Sequence, residues 1–187
     1  MGRDKAALPF GDESLLERVI RIVRPKVDEL WLVAREGQAL SAPADLPIAR
    51  DPAEGLGPLA GVIAGVRAMN AERAFVISCD SPLLEAELIS HLLELSRGHD
   101  AAIPFVDGHY VPTTAIYAKS ILPAAVRLLD RGELRPRLLI EEPGVRVIHE
   151  DEITAADPEL HSFRDCDTPE DYEDLLRLAG LSYAPGG

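Results

Sequence analysis

The sequence predicts an α/β layered domain built on a mostly parallel sheet, and three observations lead there. Short β-rich apolar runs alternate with longer stretches whose apolar residues recur at helical spacing. Two of the runs, 28–34 (DELWLVA) and 73–79 (RAFVISC), are almost continuously apolar, as strands covered on both faces are. The 187 residues, 47% hydrophobic and 27% charged, suffice for one globular domain with a sizeable core.

The elements follow in order. Residues 13–24 (ESLLERVIRIVR) read as a helix, because Leu15, Leu16, Val19, Ile20 and Val23 fall on one stripe. The strand at 28–34 comes next, then a loop at 36–47 (EGQALSAPADLP). A helix is expected over 59–70, the strand at 73–79 after it, and a further helix over 85–97. Strands at 100–106, 110–118, 144–149 and 161–166 have weaker patterns, with a helix at 120–131 among them. The last helix, 169–180, has Thr168 placed as its N-cap, Pro169 at its first position and Gly180 to stop it. Residues 1–180 form a single expected domain, and 181–187 a flexible tail.

Charge and composition exclude several functions. The net charge is −13, with no Lys/Arg-rich run, which argues against nucleic acid or an anionic membrane as partner. The chain has no run of about 18 apolar residues and no signal or transit pattern, so a cytoplasmic location is expected. Cys79 and Cys166 are too few for a disulfide framework or a zinc cluster. The five histidines lack metal-ligand spacing, and neither a Ser-His-Asp nor a Cys-His arrangement is visible.

Four stretches remain that carry chemistry. In 76–84 (VISCDSPLL), Asp80 follows directly on a buried strand, where open α/β sheets present functional groups; a carboxylate there suits Mg2+. The same residues also simply end a strand and begin a helix. In 163–172 (FRDCDTPEDY), a strand would project Asp165 and Asp167 from one face and Cys166 from the other. Two such carboxylates repel unless a cation or open solvent lies between them, whereas Glu170 and Asp171 are explained by the helix dipole. In 50–61 (RDPAEGLGPLAG), Gly55, Gly57 and Gly61 suggest a loop that brings N–H groups to a ligand ahead of a helix. Asp51 before it can accept paired hydrogen bonds, an arrangement guanine offers. The chain opens on MGRDKAALPF, with Arg3 and Lys5 between a glycine and a proline.

Together, MGRDKAALPF, RDPAEGLGPLAGVIAGV, FVISCDSPLL and DCDTPEDY, in this order, resemble the molybdenum cofactor guanylyltransferases, the MobA family, from Met1 to about Gly180. The resemblance implies a three-layer Rossmann-like nucleotidyltransferase fold that binds GTP and Mg2+ and transfers GMP to molybdopterin, releasing pyrophosphate. It assigns Lys5, with Arg3 as helper, to the triphosphate, and Asp80 to the metal; Asp165 and Asp167, read above from their shared face, are further candidate ligands. Asp51 would select guanine in a pocket shaped by Gly57 and Gly61. Partners implied are GTP, molybdopterin, and molybdoenzymes or other proteins of the cofactor pathway.

The chain departs from the family pattern at three places. The family's first motif is roughly LAGGxSxRMGxxK, and the part before Met-Gly is not in this sequence. Ala34-Arg35-Glu36 stands where an Ala-Asn-Arg-like stretch is usual, and Asp165 and Asp167 where Asn-x-Asn is frequent. The first departure predicts a truncated first strand, with Met1 an internal methionine of a longer natural protein. Two alternatives stand beside the main reading: a related cytidylyl- or sugar-phosphate nucleotidyltransferase, and a non-catalytic nucleotide-binding module.

Overall fold

The computed structural model of the chain describes residues 5–38, 43–51 and 57–182. Its strands are β1 (Pro9–Phe10), β2 (Glu13–Ser14), β3 (Leu32–Arg35), β4 (Ile48–Asp51), β5 (Arg73–Ile77), β6 (Ala101–Val106), β7 (His109–Tyr110), β8 (Thr114–Ala118) and β9 (Val145–His149). Its helices are α1 (Leu15–Val23), α2 (Gly57–Ala68), α3 (Ala86–Leu95), α4 (Leu122–Asp130), α5 (Glu150–Ile153) and α6 (Pro169–Leu178).

The strand period of two builds the core on both sheet faces at once. Ala101 and Ile103 of β6 and Ala115 and Tyr117 of β8 meet Leu59, Val62, Ile63 and Val66 of α2 and Ala124 and Ala125 of α4. Their neighbours Ala102, Val106 and Ile116 point the other way, onto Val19 and Val23 of α1 and Leu88, Ile89 and Leu92 of α3. Three layers result. The larger sheet runs β5-β8-β6-β7, with β9 also on β6. Strands β5 and β6 are both antiparallel to β8, and β9 is parallel to β6, so β5, β6 and β9 share a direction. The expected mostly parallel sheet is therefore present, with β8 and the short β7 reversed within it. Strands β3 and β4 form a separate parallel pair.

Caps set the helix starts. Ser14 accepts from the Glu17 amide at 3.2 Å, while Glu17 accepts from the Ser14 amide at 2.8 Å. At α6, Thr168 Oγ1 accepts from the Asp171 amide at 3.1 Å, and Asp171 accepts from the Thr168 amide at 2.8 Å. The cap read from the sequence is the cap observed.

Three expectations need correction. Pairing of β3 begins at Leu32, whose amide donates to Pro47 at 3.0 Å, rather than at residue 28. The preceding residues do other work: the Glu29 carboxylate accepts from the Asn70 and Ala71 amides at 2.6 and 2.8 Å, clipping this segment to the loop before β5. Residues 161–166 are not a strand. Leu160 takes a left-handed φ of +53°, and a 3-10 turn follows at His161–Phe163. The buried Asp157 carboxylate fixes that turn by accepting from the His161 and Ser162 amides at 3.0 and 2.8 Å. Finally, Gly57 and Gly61 lie within α2 rather than in a loop ahead of it. The β1–β2 hairpin and β4 were not foreseen, and residues 39–42 of the expected 36–47 loop, Gly55 and the tail at 183–187 lie outside the described residues.

Thr168→Ala is expected to cost about 1 kcal/mol, the usual loss for a side-chain cap. Urea unfolding should show a lower midpoint at an unchanged m-value, since the cap contributes no buried surface.

Candidate active site

Strand β5 ends at Ile77, and the turn after it carries Ser78, Asp80 and Ser81. Ser78 donates its hydroxyl to Asp80, which fixes the carboxylate's direction. Arg18 of α1 tethers the far side of the turn by donating to the Pro82 carbonyl at 2.7 Å. The segment after the 3-10 turn is then laid against it: the Cys166 amide donates to the Asp80 carbonyl at 2.9 Å. Alternation survives here although the strand does not. Cys166 is buried among Phe10, Leu15, Leu175 and Leu176, while Asp165 reaches Ser81 of the turn and Asp167 reaches Lys5.

Lys5 lies at the centre. Its Nζ donates to Asp167 at 2.6 Å and to Asp80 at 3.3 Å. The Asp167 hydrogen bond, with both negative charges nearby, raises the ammonium pKa, so Lys5 stays charged. Asp80 is largely covered, with 15% of its side chain exposed, whereas Asp167 is 72% exposed. Asp165 is half-buried and accepts from Ser81 Oγ at 2.6 Å. Burial, reinforced by Asp80 and Asp167, pushes its carboxyl up to about 6 against the opposing Ser81 hydrogen bond. Burial also pushes the Cys166 thiol up to about 11, which makes it a poor nucleophile at neutral pH.

The structure thus brings together Lys5, Asp80, Asp165 and Asp167, four of the residues singled out in the sequence. Arg3 lies outside the described residues. Asp51 is buried at the end of β4, in the other strand pair. Gly57 opens α2 with φ of +63°, and a Cβ there would come within 2.8 Å of the Leu134 carbonyl oxygen, so packing alone demands glycine. Gly61 faces Val33 of β3. Sequence reasoning missed Ser78 and Ser81 as orienting hydroxyls; their positions flanking Asp80 at a strand end were the available signal.

The donors that converge are hard oxygen atoms, the chemistry of a Mg2+-type cation. Among the described residues, no three His, Cys, Asp or Glu side chains form a group able to hold a metal by themselves. One or two carboxylates completed by substrate phosphates is the arrangement that fits. The same site suits a triphosphate, with Lys5 supplying local positive charge within a chain of net charge −13.

A three-layer α/β frame with a lysine and three carboxylates at a strand's carboxyl end belongs to the nucleotidyltransferase class of folds. Residues 1–147 match the MobA-like NTP transferase domain. The chain is 33% identical over 184 residues to the probable molybdenum cofactor guanylyltransferase of Carboxydothermus hydrogenoformans, a match spanning 97% of this chain and 91% of that protein. Molybdopterin-guanine dinucleotide biosynthesis protein A from Archaeoglobus fulgidus superposes with a TM-score of 0.80 at 24% identity, over 96% of this chain and 92% of that one. The 2-C-methyl-D-erythritol 4-phosphate cytidylyltransferase of Thermus thermophilus shares the fold at a TM-score of 0.72 and 18% identity, over 95% and 94% of the two chains. This chain belongs to the MobA-like NTP transferase family. No helix among the described residues is long and apolar enough to cross a membrane.

Asp165 provides a pH test of this geometry. Its carboxyl titrates higher folded than unfolded, so the folded state holds the extra proton between the ordinary 3.8 and about 6. Stability conferred by that proton is present at the lower pH and lost as pH rises through about 6. Asp165→Asn keeps an oxygen for Ser81 and removes the titration. The variant should gain stability over the parent as pH rises from 4 to 7, read as the difference in urea midpoints (about three pH values suffice).

Proposed function

We propose that this protein transfers GMP from GTP to molybdopterin, releasing pyrophosphate. The observation that carries the reading is Lys5 held between Asp80 and Asp167 at the carboxyl end of β5. The resemblance over nearly the whole chain to a probable molybdenum cofactor guanylyltransferase supports the choice of substrates.

The chemistry asks little covalent work of the protein. An oxygen of the molybdopterin phosphate attacks the α-phosphorus of GTP, and the bond to the β-phosphate oxygen breaks with its electron pair leaving on pyrophosphate. Catalysis is then positioning and charge stabilisation. Lys5 leaves its carboxylate partners for the triphosphate and stabilises the charge that gathers on the leaving pyrophosphate, with Arg3 assisting. Ser78 holds the Asp80 carboxylate in place before substrate arrives, so no reorientation is needed when it does. Asp80, with Asp165 or Asp167 beside it, would hold Mg2+. When bound, this cation neutralises phosphate charge and aligns the phosphate chain.

Asp51 accepts the guanine ring N–H and exocyclic amine. Gly57 at the start of α2 borders the base, and Gly61 shapes the pocket by letting α2 sit close to β3. The Asp165-x-Asp167 pattern favours a second reading, a cytidylyltransferase acting on the same acceptor, and Asp51 separates the two.

Lys5→Ala is expected to lower kcat/KM for GMP transfer about 10²–10³-fold, the range for removing one preorganised charge-stabilising donor. Unchanged turnover would remove Lys5 from the mechanism. Asp51→Ala should weaken GTP binding at least about tenfold more than CTP binding, since an unpaired buried partner discriminates strongly. Equal loss for both nucleotides in a titration would favour the cytidylyl reading.

A further inference from the structure

The carboxyl end of β6 breaks the burial pattern of its own strand. β6 is an interior strand, with β8 and β7 on one edge and β9 on the other. Five of its six residues are buried, and the exception is the largest, Phe105. The period of two puts Phe105 on the face of Ala101 and Ile103, which α2 and α4 cover. That helical layer stops short of Phe105, and the ring stands half-exposed. The chemistry described above makes no use of it.

Two further rings flank it. Tyr110 of β7 and His149 of β9 are its partners across the two edges. Their ring centroids lie 4.9 and 5.9 Å from that of Phe105, with planes inclined at 56° and 71°, so neither ring lies flat on it. Tyr110 is half-exposed and His149 exposed. The backbone holds all three in register. Asp107 and Gly108 make the two-residue turn from β6 to β7, with φ of +49° and +76°. Glu150 of α5 accepts from the Asp107 amide at 2.7 Å, and Glu152 accepts from the His149 amide at 3.2 Å. One short helix thus ties the turn on one side of Phe105 to the strand on the other.

These rings and the charged site stand at one level of the sheet. Ile116 of β8 pairs with Phe75 of β5 on one side and with Ala102 of β6 on the other. Because β5 and β6 run in the same direction, three residues on from each reach Ser78 and Phe105. Asp80 lies just beyond the end of β5, and the rings lie two strands across from it, about 10 Å at the usual strand spacing. Asp51, proposed above to read guanine, belongs instead to the separate β3–β4 pair.

We propose that Phe105, Tyr110 and His149 form the platform on which the pterin ring of the acceptor stacks, an inference that rests on the reading of the protein as acting on molybdopterin. A pterin is a planar heterocycle with two π faces and a polar rim. Phe105 offers an uncovered ring, and the phenol and imidazole beside it offer a hydroxyl and ring nitrogens to that rim. The acceptor's phosphate hangs from its fused rings by one methylene. With the pterin on the platform, that phosphate points along the sheet edge toward Lys5 and Asp80, two strands away. The entering oxygen is thereby placed on the β8 side of the charged site, leaving the opposite side for pyrophosphate, as in-line displacement requires.

The test titrates 6-hydroxymethylpterin monophosphate into the protein without nucleotide, followed by the pterin's own fluorescence. Phe105→Leu, which keeps apolar bulk and loses the ring, should weaken binding about tenfold or more. Phe105→Tyr keeps a ring and should bind more tightly than Phe105→Leu. His149→Ala changes an exposed residue and should also weaken binding, so the test holds even where Phe105→Leu does not fold. In turnover, Phe105→Leu and His149→Ala should raise KM for molybdopterin about tenfold while KM for GTP stays within about twofold. Pterin bound as well by both variants as by the parent overturns the proposal, as does a parent that binds no pterin. Equal loss of GTP and pterin binding also overturns it, since a damaged frame then explains both. Should the parent bind the pterin through these rings and yet transfer no GMP, the platform stands and the reading of the reaction falls. GMP transfer with an unchanged KM for molybdopterin in both variants sinks the platform and leaves that reading intact.

Discussion

One backbone hydrogen bond, from the Cys166 amide to the Asp80 carbonyl, joins the end of the chain to the end of β5. Everything charged in the site depends on it. It registers 165–167 against the 78–82 turn, so that Asp165 meets Ser81 and Asp167 meets Lys5. Cys166 can hold that register because its side chain is locked into the small core under α6. Thr168 and Asp171 then fix where the helix starts, and thereby where Asp167 stands. An apolar contact on one side of a three-residue stretch sets electrostatic geometry on the other.

The cluster is unbalanced as it stands. One ammonium faces three carboxylates, and the protein relieves part of the repulsion by making Asp165 harder to ionise. Lys5 is the counter-charge that Asp80 and Asp167 share. In the proposed reaction, Lys5 would turn from these carboxylates to the triphosphate, and a different cation would take its place beside them. Under that proposal, metal and nucleotide binding would be coupled through the exchange of one positive partner for another.

Much of this was legible in the sequence, and the misses have physical causes. The start of α6 was readable because caps are local, Thr168 and Pro169 acting within a turn of themselves; α1 was readable from its apolar stripe but begins at Leu15 rather than residue 13. Asp80 was readable because a carboxylate directly after an apolar strand has few structural uses. The β1–β2 hairpin was not, since two-residue strands are too short to leave a period. Strand β4 carries Arg50 and Asp51 and pairs on one side, so its pattern lacks the apolar continuity that revealed β5. The 161–166 segment looked like a strand because its side chains do alternate; what it lacks is a neighbour to pair with, its amides being taken by Asp157 and Asp80. The glycines of α2 suggested a loop ahead of the helix, but they lie within it, Gly57 against Leu134 and Gly61 against Val33 of β3.

The Glu29 clip has a consequence for the order in which the chain assembles. Its carboxylate closes a loop back to residues 70 and 71, and β3, β4 and α2 lie inside that loop. Their contacts are local, so forming them sacrifices little chain entropy. The five-stranded sheet must instead bring β9 to β6 across β7, β8 and α4. Low contact order favours early formation of the 29–71 piece, and the larger sheet then completes the core that α2 shares with it. Asp51, at the end of β4, lies in that early piece, whereas the turn after β5 that carries Asp80 belongs to the larger sheet.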